Sequence, residues 1–92
     1  MRESEIENYL VRQCKRRGIL CEKFTSPGRR AVPDRLLTIP PHGVVAFVEC
    51  KAPGRKPRPN QLRDHERRRR LGARVYVVDS CEAVDAMLDE LC

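Results

Sequence analysis

Aromatic side chains are scarce in this chain: two tyrosines, two phenylalanines and no tryptophan among 92 residues. Tyr9, Phe24, Phe47 and Tyr76 all fall at positions expected to face a core, which excludes an open sheet on which nucleobases stack. Metal cages of the zinc type are missing too. The five cysteines, Cys14, Cys21, Cys50, Cys81 and Cys92, form no CxxC pair and no Cys/His cluster, and they are read as reduced core residues. His42 and His65 lack a partner at catalytic or ligand spacing and are assigned to a turn and to the surface. No apolar run approaches the roughly 20 residues of a membrane span, and no signal or lipidation pattern occurs, so a cytoplasmic protein is expected. Internal repeats are absent. At this length one domain with one modest core is expected over residues 1–92.

Positive charge is abundant. Nineteen Lys and Arg stand against 13 Asp and Glu, a formal charge of +6. A basic surface of that strength favours polyanions such as nucleic acid, although small domains also carry charge for solubility alone.

Hydropathy patterning orders the elements. Ile6, Tyr9, Leu10, Gln13 and Cys14 make one stripe of a helix over 4–17, ended by Gly18. Residues 19–25 alternate like a strand, Ser26-Pro27-Gly28 turns the chain, and residues 34–39 and 44–48 read as a hairpin around Pro40-Pro41-His42-Gly43. Residues 52–59 are a Pro-, Gly- and cation-rich loop. Asn60 is placed to cap a helix reaching Leu71, residues 73–78 form a buried strand, and Asp79 with Glu82 resembles a capping box for a last helix. The order αβββαβ plus a C-terminal helix predicts an α/β fold with a mixed central sheet flanked by helices.

Within that frame Glu49 and Lys51 lie two apart at the end of an apolar strand and project from the same face. Asp34, after Pro33, comes from the neighbouring strand. Two carboxylates converging on one hard cation beside a lysine are equipment for metal-assisted phosphodiester hydrolysis. Asp34 and Glu49 are the candidate ligands, the Cys50 carbonyl supplies a further oxygen, and Lys51 orients the attacking water or stabilises charge on phosphorus. The competing explanation is a surface ion pair of Glu49 with Lys51 and a turn role for Asp34. Glu3 and Glu7, four apart on the first helix, are alternative sources of another acid, with Ser4-x-x-Glu7 also fitting a capping box. Gln61 and Lys23 are candidates for contact with phosphate or a metal-bound solvent shell. Arg29, Arg30, Arg35, Arg55, Lys56, Arg58, Arg67, Arg68 and Arg69 are candidate DNA contacts, against the plainer explanation of a solvated charged face.

Glu3/Glu7, Lys23-Phe24, Ser26-Pro27-Gly28, Val32-Pro33-Asp34-Arg35, Phe47-Val48-Glu49-Cys50-Lys51-Ala52 and Gln61 together resemble the VRR-NUC domain of the PD-(D/E)xK nuclease superfamily. The resemblance spans nearly the whole chain. It implies a restriction-endonuclease-like core and dependence on Mg²⁺ or Mn²⁺. For stand-alone members, often carried by bacteriophages, it also implies a homodimer acting on branched DNA in the manner of Holliday-junction resolvases. Such a protein would work in the host cytoplasm, without membrane or small-molecule cofactor. By position, Asp34, Glu49 and Lys51 match the catalytic trio, Glu3 or Glu7 the helix-one acid, and Gln61 the glutamine after the core. Two positions depart from the pattern: Ala31 replaces a glycine frequent before Val-Pro-Asp, and Cys50 separates Glu49 from Lys51. The expected function is a structure-selective DNA endonuclease, with a flap or nicking endonuclease and a non-catalytic nucleic-acid-binding module as alternatives.

Overall fold

The computed structural model describes residues 1–92 and contains three helices and four strands in the order α1 (Glu3–Arg16), β1 (Leu20–Lys23), β2 (Arg35–Ile39), β3 (Val44–Cys50), α2 (Pro59–Arg70), β4 (Arg74–Val78) and α3 (Cys81–Leu91). The strands form one sheet in the order β1-β2-β3-β4. A short turn over residues 40–43 makes β2 and β3 an antiparallel hairpin, and the longer connection over residues 24–34 leaves β1 antiparallel to β2. The crossover through α2 returns the chain parallel to β3, as a strand-helix-strand unit does. The αβββαβ order and the mixed sheet follow the sequence pattern.

Side-chain alternation divides the sheet into two unlike faces. Ala46, Val48 and Cys50 of β3 join Leu37 and Ile39 of β2 beneath Ile6, Leu10 and Cys14 of α1 and Val84, Met87 and Leu88 of α3. This is the apolar core. Against the other face lies α2, whose buried residues are Gln61, Asp64 and His65. A helix with so few apolar side chains is held by polar and aromatic contacts instead. Arg68 lies over the Phe24 and Phe47 rings, 5.2 and 4.7 Å from their centroids, and donates from Nε to Asp64 at 2.8 Å. Phe24 and Phe47 meet edge to face and are half-buried, so they support α2 and are not buried in the main core. Tyr9 and Tyr76 are likewise half-buried, and the Tyr9 hydroxyl donates to Asp85.

Several helix starts differ from the sequence reading. Glu5, not Glu7, closes the first turn of α1 by accepting from the Arg2 amide at 2.8 Å. The helix begins one residue before Ser4, so Glu7 moves past the capping position and its carboxylate is free for other partners. Asn60 sits inside the first turn of α2 after Pro59, and Arg58 holds the cap. Pro fits that first position because its missing N–H has no helical partner there. At α3 the cap is Ser80, whose hydroxyl accepts from Ala83, while Asp79 instead accepts from the Gly54 amide and anchors the basic loop. Gly18 and Gly72 do end their helices, at φ +72 and +94°, where a Cβ would be strained. All five cysteines are free thiols. Cys14 and Cys50 are buried, but Cys21 and Cys81 are half-buried and Cys92 is exposed at the chain end, outside any core.

Candidate active site

Antiparallel register brings the two candidate carboxylates together. Arg35 pairs with Val48, so one step outward Asp34 stands opposite Glu49 across the β2–β3 ladder. Asp34 is locked there by a hydrogen bond from the Cys50 amide to its Oδ2 at 2.8 Å, while its own carbonyl accepts from Phe24. Burial pushes the Asp34 carboxyl up to about 6, against the Cys50 amide, and the negative charges of Glu49, Glu7 and Glu3 add to the rise. A carboxyl pushed up by neighbouring acids marks a place where positive charge is wanted.

Glu49 and Lys51 do form an ion pair, with Nζ 3.6 Å from Oε2, but it is not a surface pair: the side chains are 2% and 8% exposed. Gln61 of α2 donates from Nε2 to the same Oε2 at 3.2 Å. The other oxygen, Oε1, is buried without a hydrogen-bond partner, and His65 Nε2 lies 3.5 Å from it. A buried carboxylate oxygen left unpartnered costs about 1–3 kcal/mol unless a ligand or a donor completes it. That orphaned oxygen next to Asp34 suits a hard cation, which favours carboxylate oxygens and retains much of its own water. No three His, Cys, Asp or Glu side chains converge tightly enough to cage an ion by themselves. Two carboxylates with room for solvent suit a hard divalent cation and do not make a closed zinc site.

The first helix supplies acids to this end of the sheet in two different ways. Glu7 is tied up: its Oε2 accepts from Arg35 Nε at 2.8 Å and lies 3.4 Å from Lys23 Nζ. Glu3 is exposed and lines a cleft of about 350 Å³ together with Lys51, Ala52, Arg55, Lys56 and Arg58. Lys51 is part of the cleft wall, and the cleft has the charge to hold a phosphate.

Comparison with known proteins bears on the family and the fold. No family model matches the chain. It is 54% identical over 80 residues to "Putative nuclease p44" of Acyrthosiphon pisum secondary endosymbiont phage 1, covering 87% of this chain and 85% of that protein. A solved structure described as a VRR_NUC domain superposes with a TM-score of 0.88 at 40% identity, over 95% of this chain and 94% of that one. The chain belongs to the VRR-NUC nuclease family. Its mixed sheet with flanking helices is the restriction-endonuclease-like fold of that family.

The basic residues of this VRR-NUC nuclease fall into two groups. Arg29 and Arg30 join Asn60, Arg63 and Arg67 around a second cleft of about 230 Å³ beside α2, with Asp64 at its base. Arg55, Lys56 and Arg58 belong to the Lys51 cleft. Other cations are engaged within the protein: Arg35 and Lys23 with Glu7, Arg68 with Asp64 and two rings, and Arg69 with the Val75 carbonyl at 2.8 Å. Reading the sequence for charge alone overlooked this division. It also assigned His65 to the surface, whereas His65 is fully buried, and it passed over Asp64, which is 4% exposed. The spacing held a usable signal: Gln61, Asp64, His65 and Arg68 recur at i, i+3, i+4 and i+7, one stripe of a helix built from polar residues.

Proposed function

We propose that this nuclease is a divalent-metal-dependent endonuclease that cuts branched DNA, with four-way junctions as its preferred substrate and a homodimer as its working form. The observation that carries the metal reading is the juxtaposition of Asp34 and Glu49 beside buried Lys51, with Glu49 Oε1 unpartnered. Asp34 and Glu49 would hold Mg²⁺ or Mn²⁺, with the Cys50 carbonyl as a third donor. Once bound, the ion supplies Lewis acidity, activating water and polarising the scissile phosphodiester.

The remaining steps belong to the protein. Gln61 fixes Glu49 through Oε2. Lys51, at the mouth of its cleft, places its ammonium against the phosphate, where it orients the attacking water and offsets charge gathering on phosphorus. Arg55, Lys56 and Arg58 hold the strand being cut, and Arg29, Arg30, Arg63 and Arg67 hold phosphates beyond it. The preference for branched DNA and the dimer rest on the family resemblance. The similarity to a phage protein suits work in a host cytoplasm, and no helix is long and apolar enough to cross a membrane.

Cleavage of four-way, flap, single-stranded and linear duplex DNA, with Mg²⁺ or Mn²⁺ against EDTA, tests the proposal. Metal-dependent cutting concentrated on the four-way substrate is expected. Preference for flaps or single nicks in duplex would move the enzyme to a flap or nicking class with the same residues, and binding without cleavage in any metal would leave a nucleic-acid-binding module.

A further inference from the structure

His65 is a buried titratable side chain that no hydrogen bond within the protein accounts for and that the reaction outlined above does not use. It is 0% exposed, both ring nitrogens lack a hydrogen-bond partner, and Nε2 stands 3.5 Å from the equally unpartnered Oε1 of Glu49. Two buried polar atoms left open to each other are costly separately and cheaper together, because one proton on Nε2 would satisfy that nitrogen and Oε1 at once, leaving Nδ1 alone without a partner. Hydrogen bonds in catalytic sites are often long before ligands arrive and shorten in the working complex. The opposite oxygen of Glu49 is already held by Gln61 and Lys51.

We propose that His65 is a positioning residue for Glu49: its Nε2–H donates to Oε1 and fixes the plane of the carboxylate, so that the Asp34–Glu49 pair meets a divalent cation preformed. With His65 and Gln61 one helical turn apart on α2, that helix acts as a brace gripping Glu49 at both oxygens. The inference rests on the reading of Asp34 and Glu49 as the metal-binding pair. Groups that orient a metal's ligands commonly change affinity by about 10–100-fold when removed.

The test uses Mn²⁺ binding by the full chain without DNA, read by calorimetry, with the thermal midpoint of the metal-free protein measured alongside. His65→Leu keeps bulk and removes the donor, while His65→Gln keeps an N–H donor. Loss of Mn²⁺ affinity by about 10–100-fold in His65→Leu, at a thermal midpoint near the parent's, with most of the loss recovered in His65→Gln, is the expected result. Parent-like Mn²⁺ affinity in His65→Leu, or equal weakening in both variants, would overturn the positioning role. Should His65→Leu fail to fold, His65→Met, whose flexible side chain adapts to the same space, is read by the same criteria. Glu49→Gln keeps the two possible failures apart. If it loses Mn²⁺ while His65→Leu does not, only the role of His65 falls; if Glu49→Gln also binds Mn²⁺ like the parent, the metal reading itself falls, and this inference with it.

Discussion

Asp34 carries the clearest electrostatic signature in the molecule. Its carboxyl is held near 6 against an ordinary 3.8, first by burial and then by Glu49, Glu7 and Glu3. The folded protein therefore binds a proton here more readily than the unfolded chain does. The favourable contribution of the neutral acid is complete below about 3.8 and is lost as pH rises through about 6. In metal-free protein the thermal midpoint of the parent minus that of Asp34→Asn is accordingly expected to fall across that window and to level off above it. A difference independent of pH would mean that Asp34 is not perturbed. For the reaction, Asp34→Asn and Glu49→Gln are each expected to abolish cleavage while DNA binding persists, since on the proposed function they would remove metal ligands and no cation. Lys51→Ala is expected to slow turnover by about 10²–10³-fold, the scale of losing one preorganised stabilising group, with metal binding largely kept. Calorimetry and gel-shift measurements beside the cleavage assay separate these outcomes. The closeness of Asp34, Glu49 and Lys51 was legible in the sequence because period-2 alternation places Glu49 and Lys51 on one face and a short hairpin brings Asp34 beside them. The roles of Glu7 and His65 were not legible: one depended on a helix beginning a residue earlier, the other on a helix burying polar side chains.

At the scale of elements, α2 departs furthest from what composition suggests. Five arginines between Arg63 and Arg70 look like one solvated basic face, yet the helix uses Arg68 and Arg69 to attach itself to the sheet. Arg68→Ala is expected to destabilise the protein by about 1–3 kcal/mol, because Asp64 is then left buried with only Arg29, 3.5 Å away, as a partner. A thermal or urea melt unchanged from the parent would show that the clamp is dispensable. Charge reversal at Arg30, Lys56 and Arg67, which line the two clefts, has a different expected effect. Affinity should drop alike for all DNA structures, and the slope of log affinity against log salt should flatten by about 0.9 for each phosphate that is no longer neutralised. An unchanged slope would place these side chains away from the DNA. Strands and helices were readable because apolar periodicity decides them. Caps were less readable, since Ser4, Asn60 and Asp79 all have capping chemistry and only the tertiary entry angle of the chain selects Arg2, Arg58 and Ser80.

For the whole molecule the open question is why a chain this small should act alone. The apolar stripe of α1 offers nothing to a partner, since Ile6, Leu10 and Cys14 are fully buried under the sheet and α3. Apolar surface remains elsewhere. Leu20 and Val45, 56% and 44% exposed, flank Thr38 in one row across β1, β2 and β3, and Leu62 of α2 and Leu71 just beyond its end also face solvent. A chain of 10.6 kDa that buries a limited core gains from covering such side chains with a second copy. Two-fold symmetry in the enzyme would also match a four-way junction, in which two opposed strands present equivalent phosphodiesters. In the proposed dimer each subunit would need one Asp34–Glu49–Lys51 site, and resolution would proceed by paired, symmetric nicks. Light scattering at working concentration is expected to give twice the chain mass, and strand mapping on a junction labelled on each arm is expected to show cuts at symmetric positions in opposed strands. A monomer at every concentration, or a junction nicked on one strand of the opposed pair only, would defeat this arrangement and leave the same residues serving a flap or nicking endonuclease.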